Sequence, residues 1–282
     1  MVGDMKFGLF GINAGPNADP QVAIEVARRA EAAGLESLWT AEHVVLPDPK
    51  SPPSPFPPEI PLLDPAVSLA FVAAATTTIR LGTGIIILPQ RNPVVLAKEL
   101  ASVDVVSNGR LIFGVGIGYL KQEFDALGIS FEDKGARTID YLGAIRALWT
   151  MDQPEYRGRF ANFAAINAYP RPVQRPHPPI VMGGHKPPAF RRAIEHANGW
   201  YGFAMTLADT QRCLAGLRDA AARYQRPAEL GPLEISVSPA TKIDKAEVAV
   251  LADLGVHRII VTRWLTTAAE SLQLVDDIAE LL

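Results

Sequence analysis

The chain has 282 residues, 48% of them hydrophobic and 20% charged, with a formal net charge of −3. That size and apolar share are ample for a packed globular core and argue against disorder, and the slight acidity gives no reason to expect nucleic acid or an anionic membrane as partner. Cys213 is the single cysteine, which excludes an intrachain disulfide and a thiolate metal cluster.

Met1 to Lys6 carries Asp4 and no apolar stretch of leader type follows, so no secretory signal is expected. The apolar runs fall well short of the roughly 18 residues that a membrane-spanning helix needs, and the expectation is a cytoplasmic protein. Lys6 to Ile12 reads as a short strand ending at Gly11, and Asn13 to Pro20 as a turn-rich loop. A helix from about Gln21 sets Val22, Val26, Ala30 and Ala33 on one face and stops at Gly34. Ser37 to Ala41 is a second strand that runs into Glu42-His43. From Val44 to Pro61 the chain is too crowded with proline for helix or central strand. A loop of that length in a compact domain is usually a functional cover or is disordered. Asp64-Pro65, an N-cap with proline at the first helical position, opens a helix of small residues to about Thr76.

Ile79 to Leu88 is a nearly unbroken apolar run rich in β-branched residues, as expected of a parallel strand buried on both faces, with Gly82 and Gly84 near its carboxyl end. Pro93 opens a helix with Leu96, Leu100 and Val103 at burial spacing, and Asn108-Gly109 closes it. Leu111 to Val115 is the next strand, which leaves through Gly116-Ile117-Gly118-Tyr119. This βαβ unit predicts a right-handed crossover. Lys134 to Trp149 is a patterned helix with Ile139, Leu142, Ile145 and Trp149 on one stripe. Residues 151–178 break the rhythm with a hairpin-like segment and a proline-rich connector, and read as an insertion. Strands follow at Pro179 to Met182, Gly199 to Phe203, Leu233 to Val237 and His257 to Thr262. Between and after them lie helices from about Pro188, through Leu214, Leu217, Ala221 and Tyr224, from Lys245 to Leu254 and from Ala268; Cys213 falls in the second and reads as a buried structural thiol. Roughly eight strands alternating with helices favour an α/β (β/α)8 TIM barrel over an open doubly wound sheet, in one domain spanning 1–282.

In such a barrel the residues that follow the strands are the site candidates. Here they are Asn13, Glu42, His43, Gly84, Ile85, Ile86, Gly116, Ile117, Gly118, Tyr119, Gly183, Gly184, His185, Arg263 and Trp264. Glycines dominate and acid–base groups are few, which suits close backbone approach to a flat or phosphorylated ligand better than hydrolysis. The run GVGIGY is not a dinucleotide fingerprint, because Tyr119 stands where the third glycine belongs. No phosphate-binding P-loop, nucleophile elbow or H-E-x-x-H motif occurs, and the histidines lack metal-ligand spacing. Gly183-Gly184-His185 before a proline-marked helix reads either as an anion cradle or as a tight turn, with Arg191 and Arg192 either facing the anion or solvated. His43 reads either as a proton donor or acid–base group toward a ligand, or as a core histidine that holds a loop. Trp39 reads as barrel packing.

The segments LWTAEHV, RLGTGIIILPQRNPVVLAKELASVDVVSNGRLIFGVGIGYLKQEFDALG, GARTIDYLGAIRALW, RPVQRPHPPIVMGGH and NGWY, in this order and spacing, resemble the luciferase-like monooxygenase family over nearly the whole chain. The closer resemblance is to its branch of coenzyme F420-dependent (deazaflavin) oxidoreductases. It implies a barrel with an insertion between the fourth helix and fifth strand, at 151–178, and a deazaflavin or flavin across the carboxyl ends of the strands. It also implies a non-prolyl cis peptide in a bulge behind the ring, placed at Gly84-Ile85 with Ile85-Ile86 as the alternative. Gly116 to Tyr119 would lie along the ring or side chain, Gly183-Gly184 near the phosphate, and His43 beside the reactive ring. Tyr119 stands where sugar-phosphate dehydrogenases of the superfamily carry a catalytic Glu, which makes glucose 6-phosphate oxidation doubtful but leaves Tyr119 as a proton donor.

The function implied is hydride transfer between F420 and a small organic substrate, with His43 and Tyr119 catalytic. FMN-dependent monooxygenation and a non-catalytic flavin-binding role are the alternatives, and a homodimer is the expected assembly. Gly84→Val is expected to abolish cofactor binding with the fold largely intact, and His43→Ala to keep binding but slow hydride transfer.

Overall fold

The computed structural model describes residues 5–282; Met1 to Asp4, on which part of the expectation of no leader rests, lie outside them. The strands are β1 (Lys6–Phe10), β2 (Ser37–Thr40), β3 (Arg80–Thr83), β4 (Ile86–Ile87), β5 (Leu111–Gly116), β6 (Tyr156–Arg157), β7 (Asn162–Phe163), β8 (Ile180–Gly183), β9 (Gly199–Met205), β10 (Glu234–Pro239) and β11 (Arg258–Val261). The helices are α1 (Pro20–Ala32), α2 (Pro65–Ala73), α3 (Pro93–Val106), α4 (Lys121–Ala126), α5 (Lys134–Thr150), α6 (Pro187–His196), α7 (Leu207–Arg223), α8 (Lys245–Asp253) and α9 (Ala268–Ala279).

Parallel pairing runs β3-β2-β1-β11-β10-β9-β8-β5, and β3 pairs with β5 as well, so the sheet closes into a (β/α)8 barrel. Alternation along each strand divides the core in two. Trp39, Ile112, Val181, Tyr201 and Ile260 fill the interior, while Leu38, Phe113, Ile180 and Ile259 face the helical layer. Trp39 is fully buried, as its barrel-packing reading requires, and its indole nitrogen donates to Ser37 Oγ at 2.8 Å. Its ring occupies the space that a side chain at Gly82 would need, since a Cβ there would lie 2.5 Å from the indole. Cys213 is buried as expected.

The predicted strand Ile79 to Leu88 is interrupted. It stops at Thr83, passes through a cis Gly84–Ile85 peptide and resumes as β4, which pairs with β5. Thr83 Oγ1 bridges the break, accepting from Gly114 N and donating to Gly114 O, each at 2.8 Å. The apolar run shows burial but not this interruption, because burial is continuous through it. Residues 151–178 contain the expected hairpin, β6 against β7. The six-residue α4 goes beyond the sequence reading; it is too short for a hydrophobic period to show. The buried face of α7 is Cys213, Leu214, Leu217 and Ala220, whereas Ala221 and Tyr224 are exposed, one position away from the expected stripe. Among the described residues, no helix is long and apolar enough to cross a membrane.

At the amino end of the barrel a buried ion cluster ties the strands together. Arg258, 1% exposed, donates to Glu36 at 2.8 and 2.9 Å, to Glu234 at 3.0 and 3.3 Å and to Ser236 Oγ at 3.0 Å. Lys6 also bonds Glu234. Against the upward push of burial, the Arg258 guanidinium holds both carboxyls below the usual carboxylate range.

Candidate functional site

At the carboxyl end of the barrel the interruption after β3 shapes a cavity of about 150 Å3. Ile85 projects from the bulge and rests on glycines of two neighbouring strands. A Cβ on Gly116 would lie 2.0 Å from Ile85 Cδ1, and one on Gly183 would lie 2.7 Å away. The glycines therefore make a seat for Ile85, whose other face lines the cavity together with Gly84 and Gly184. Aromatic side chains from Phe10, Phe56, Tyr201 and Phe203 close the remaining walls. Phe56 comes from the proline-rich loop, edge-on to His43 at 5.8 Å and stacked on Trp264 at 5.9 Å. That loop carries no helix or strand, as expected, and part of it covers the cavity. Beyond this wall lies a second chamber of about 330 Å3 that shares Phe10, Pro55, Phe56 and Phe203 with the first.

Glu42 and His43, which follow β2, have separate tasks. The Glu42 carboxylate is buried, takes the N–H of Ile87 just after the bulge, and binds Arg91 Nε at 2.7 Å. Burial pushes the Glu42 carboxyl up, and the Arg91 guanidinium and Ile87 N–H pull the other way. Arg91 continues to Asp64 at 2.7 Å, so this group anchors the end of the bulge to the start of α2. His43 turns instead to Tyr119 and to Glu123 of α4. Its Nδ1 is 3.0 Å from Glu123 Oε2, and its Nε2 is 3.1 Å from the Tyr119 hydroxyl. Glu123 Oε1 also accepts the N–H of Val44 at 2.9 Å. Tyr119 is 46% exposed as a residue, yet burial and then the Glu123 charge push its phenol up to about 12.

Of the candidate positions, Glu42, His43, Gly84, Ile85, Gly118, Tyr119, Gly183 and Gly184 converge on the cavity. Asn13 does not. It is fully buried, and its amide is spent on Ala41 N and O and on Leu63 O, which fastens the β1 loop to the end of β2. Ile86 is buried in the outer core layer, and Gly116 acts behind Ile85 rather than at the surface of the cavity. Ile117 and His185 are not among the lining residues; His185 Nε2 accepts the N–H of Phe203 at 3.1 Å.

Of the two readings of the Gly183-Gly184-His185 turn, an anion cradle would be narrower than its sequence suggests. Pro187 and Pro188 contribute no N–H, and the N–H groups of Ala189 and Phe190 both turn back to Lys186 O. Helix α6 therefore offers no free donor in its first turn, and any anion contact falls to the Gly183–Lys186 loop. Arg191 faces away, bonded to Glu195 at 2.8 Å and stacked over Tyr224. Gly84 is also more constrained than expected, because a Cβ there would lie 2.9 Å from Thr40 O. Gly84→Val would disturb β2 itself, so the expectation of an intact fold does not hold.

Sequence reasoning passed over Phe10, Phe56, Tyr201, Phe203 and Glu123. The strand periodicity could have given Tyr201, two positions before Phe203 on one face of β9. For Glu123 no local signal exists, since its partner His43 is 80 positions away.

The cavity suits a planar, largely apolar ring: Ile85 backs it, aromatic edges surround it, and a backbone without side chains approaches it at Gly183-Gly184. Among known proteins, an uncharacterised protein of Mycobacterium tuberculosis is 33% identical over 205 residues, 70% of this chain and 71% of the relative. The oxygenase component of a flavin-dependent trigonelline monooxygenase of Acinetobacter baylyi is 31% identical over 61% of this chain and 45% of its own length. The crystal structure of a monooxygenase from Streptomyces bottropensis matches with a TM-score of 0.78 at 24% identity, over 99% of this chain and 98% of that one. An F420-dependent secondary alcohol dehydrogenase in complex with an F420-acetone adduct matches with a TM-score of 0.69 at 17% identity, over 99% and 91%. The family model for luciferase-like monooxygenases matches residues 5–275, and the chain belongs to that family.

Proposed function

We propose that the chain is an oxidoreductase that moves hydride between coenzyme F420 and a small organic substrate bearing a carbonyl or hydroxyl group. The observation that carries this reading is a phenol that remains protonated, Tyr119, joined to His43 and set at the rim of a cavity shaped for a ring. Hydride transfer to or from a carbonyl carbon must be matched by a proton at oxygen, and Tyr119 is placed to handle it. Ile85, Tyr201 and Phe203 would hold the ring, and the Gly183-Gly184 loop its side chain. The deazaflavin would supply the hydride chemistry, and the chain orients the reactants, excludes water and manages the proton. Glu42 keeps the bulge in place through Ile87 and takes no part in proton transfer.

The same barrel holding externally reduced FMN, as a monooxygenase, is the second reading. It is favoured by the Acinetobacter relative, the oxygenase component of a flavin-dependent monooxygenase. Titration of the purified protein with F420 and with FMN, followed by fluorescence quenching, separates the two. Tight binding of the deazaflavin alone is expected, and tight FMN binding alone would overturn the F420 reading. With the deazaflavin bound, Tyr119→Phe and His43→Ala are expected to keep its affinity within about threefold while slowing turnover by about 100-fold or more. Turnover at the wild-type rate in both variants would remove the assigned proton route.

A further inference from the structure

Glu123 follows no strand directly and was not among the candidate site residues, although it lies within the segment that carries the resemblance, and it contacts His43. It lies in the first turn of α4 with its side chain fully buried. Both carboxylate oxygens are engaged, Oε1 by the Val44 N–H at 2.9 Å and Oε2 facing His43 Nδ1 at 3.0 Å. An ionised carboxylate only accepts hydrogen bonds, so beside a Glu123 carboxylate the shared proton would sit on Nδ1. In a neutral imidazole that leaves Nε2 bare, and the nearest donor to it is the Tyr119 hydroxyl at 3.1 Å. The chain of donors then has one direction, from Tyr119 O–H to His43 Nε2 and from His43 Nδ1–H to Glu123.

We propose that Glu123 is a positioning residue that locks His43 in its Nδ1–H tautomer, so that Nε2 exchanges a proton with the substrate oxygen through the Tyr119 hydroxyl. The proposal rests on the hydride-transfer reading above. In the oxidising direction the substrate C–H bond breaks and its electron pair leaves with the hydrogen to an acceptor of the deazaflavin class. The substrate O–H proton passes to the Tyr119 oxygen as the proton of Tyr119 passes to His43 Nε2. The substrate becomes a carbonyl compound, the acceptor is reduced by two electrons, Tyr119 is neutral again, and an imidazolium remains beside the Glu123 carboxylate. Reduction runs the same transfers backwards. The raised Tyr119 phenol agrees with this, because the hydroxyl passes protons on without standing as a phenolate.

Glu123→Gln separates positioning from support of the loop. The glutamine carbonyl still accepts the Val44 N–H, which leaves its NH2 group facing Nδ1 as a donor. His43 must then carry its proton on Nε2 and can no longer take one from Tyr119. The experiment reads the His43 ring nitrogens by long-range 1H–15N correlation in the protein without cofactor, assigned by their loss in His43→Ala, alongside steady-state kinetics with F420.

Wild type is expected to show a protonated Nδ1 and a bare Nε2, and Glu123→Gln the reverse, with kcat down by about 100-fold or more and KM within about twofold. A wild-type ring protonated at Nε2 overturns the proposal, and that measurement needs no variant to fold. A tautomer reversal with unchanged kcat also overturns it, since Glu123 would then only support the loop. If the wild-type protein binds no F420, the hydride-transfer reading fails and the proton relay falls with it, while the nitrogen shifts still decide whether Glu123 sets the tautomer.

Discussion

Two buried charge clusters sit at opposite ends of the same barrel, and they end differently. At the amino end, Arg258 is buried among Glu36, Glu234 and Ser236, and all three of its guanidinium nitrogens are engaged by them. At the carboxyl end, the Glu123 and His43 side chains are more deeply enclosed than Glu36 and Glu234, but the chain continues to the hydroxyl of Tyr119, a half-exposed residue at the edge of a cavity. Closure makes a structural element: the desolvation of each ion is offset by its neighbours, and removal of one strands the others. An open end makes a reactive element, because the last group retains donor and acceptor capacity that no protein atom uses. Burial and pairing alone do not separate the two; where the hydrogen-bond chain stops does.

Disrupting the closed end should give the largest effect. Arg258→Leu leaves Glu36 without its guanidinium and Glu234 with Lys6 alone, and is expected to cost about 3–5 kcal/mol in chemical denaturation while cofactor affinity of the folded protein stays unchanged. A loss below about 1 kcal/mol would mean that the cluster is not what binds the strands at that end. At the open end the sign pattern should invert. Gly116→Ala places a methyl 2.0 Å from Ile85 Cδ1 and drives that side chain toward the cavity. It is expected to weaken ring binding about ten- to 100-fold for about 1–3 kcal/mol of overpacking, read by the same fluorescence titration. Unchanged affinity would show that Ile85 does not back the ring.

The smallest effect comes from a second closed group. Glu31, at the end of α1, accepts the N–H groups of Thr77, Thr78 and Ile79 at 2.8, 2.6 and 2.9 Å. Despite the upward push of burial, these donors lower its carboxyl to about 2. Its folded value lies below its unfolded one, so its contribution is complete above the usual carboxylate range and is lost as the pH falls toward 2. Glu31→Gln should cost about 1 kcal/mol near pH 7, with the gap to wild type closing as the solution is acidified. A gap independent of pH would place the effect in side-chain shape rather than charge.

The repeat of strand and helix was legible because its signals are local. Apolar runs, Asp64-Pro65 at the start of α2 and Gly34 after α1 each declare themselves within a few residues. The bulge was legible only through family resemblance: Gly84 marks a place where a side chain is unwelcome, but its neighbours Thr40 and Phe10 come from other strands. Glu123 lay within the segment that carries the resemblance, but nothing local gave it a role. It lies in a helix too short to show a period, and its worth depends on Val44 and His43, which chain closure alone brings to it. Arg191, which the sequence left open between facing an anion and being solvated, bonds Glu195 on its own helix, and the prolines at 187 and 188 leave the helix start without backbone donors.

Phe10, Phe56 and Phe203 form a partition with a chamber on either side. A residue in a partition belongs to two compartments, so truncating Phe56 would enlarge both and release Trp264 from its stack at the same time. Changes at Phe56 and at Trp264 should therefore be strongly non-additive, and neither alone reports on a single compartment. Altering the capacity of one chamber independently requires residues that only it possesses: Tyr201 on the inner side, and Leu265 on the outer.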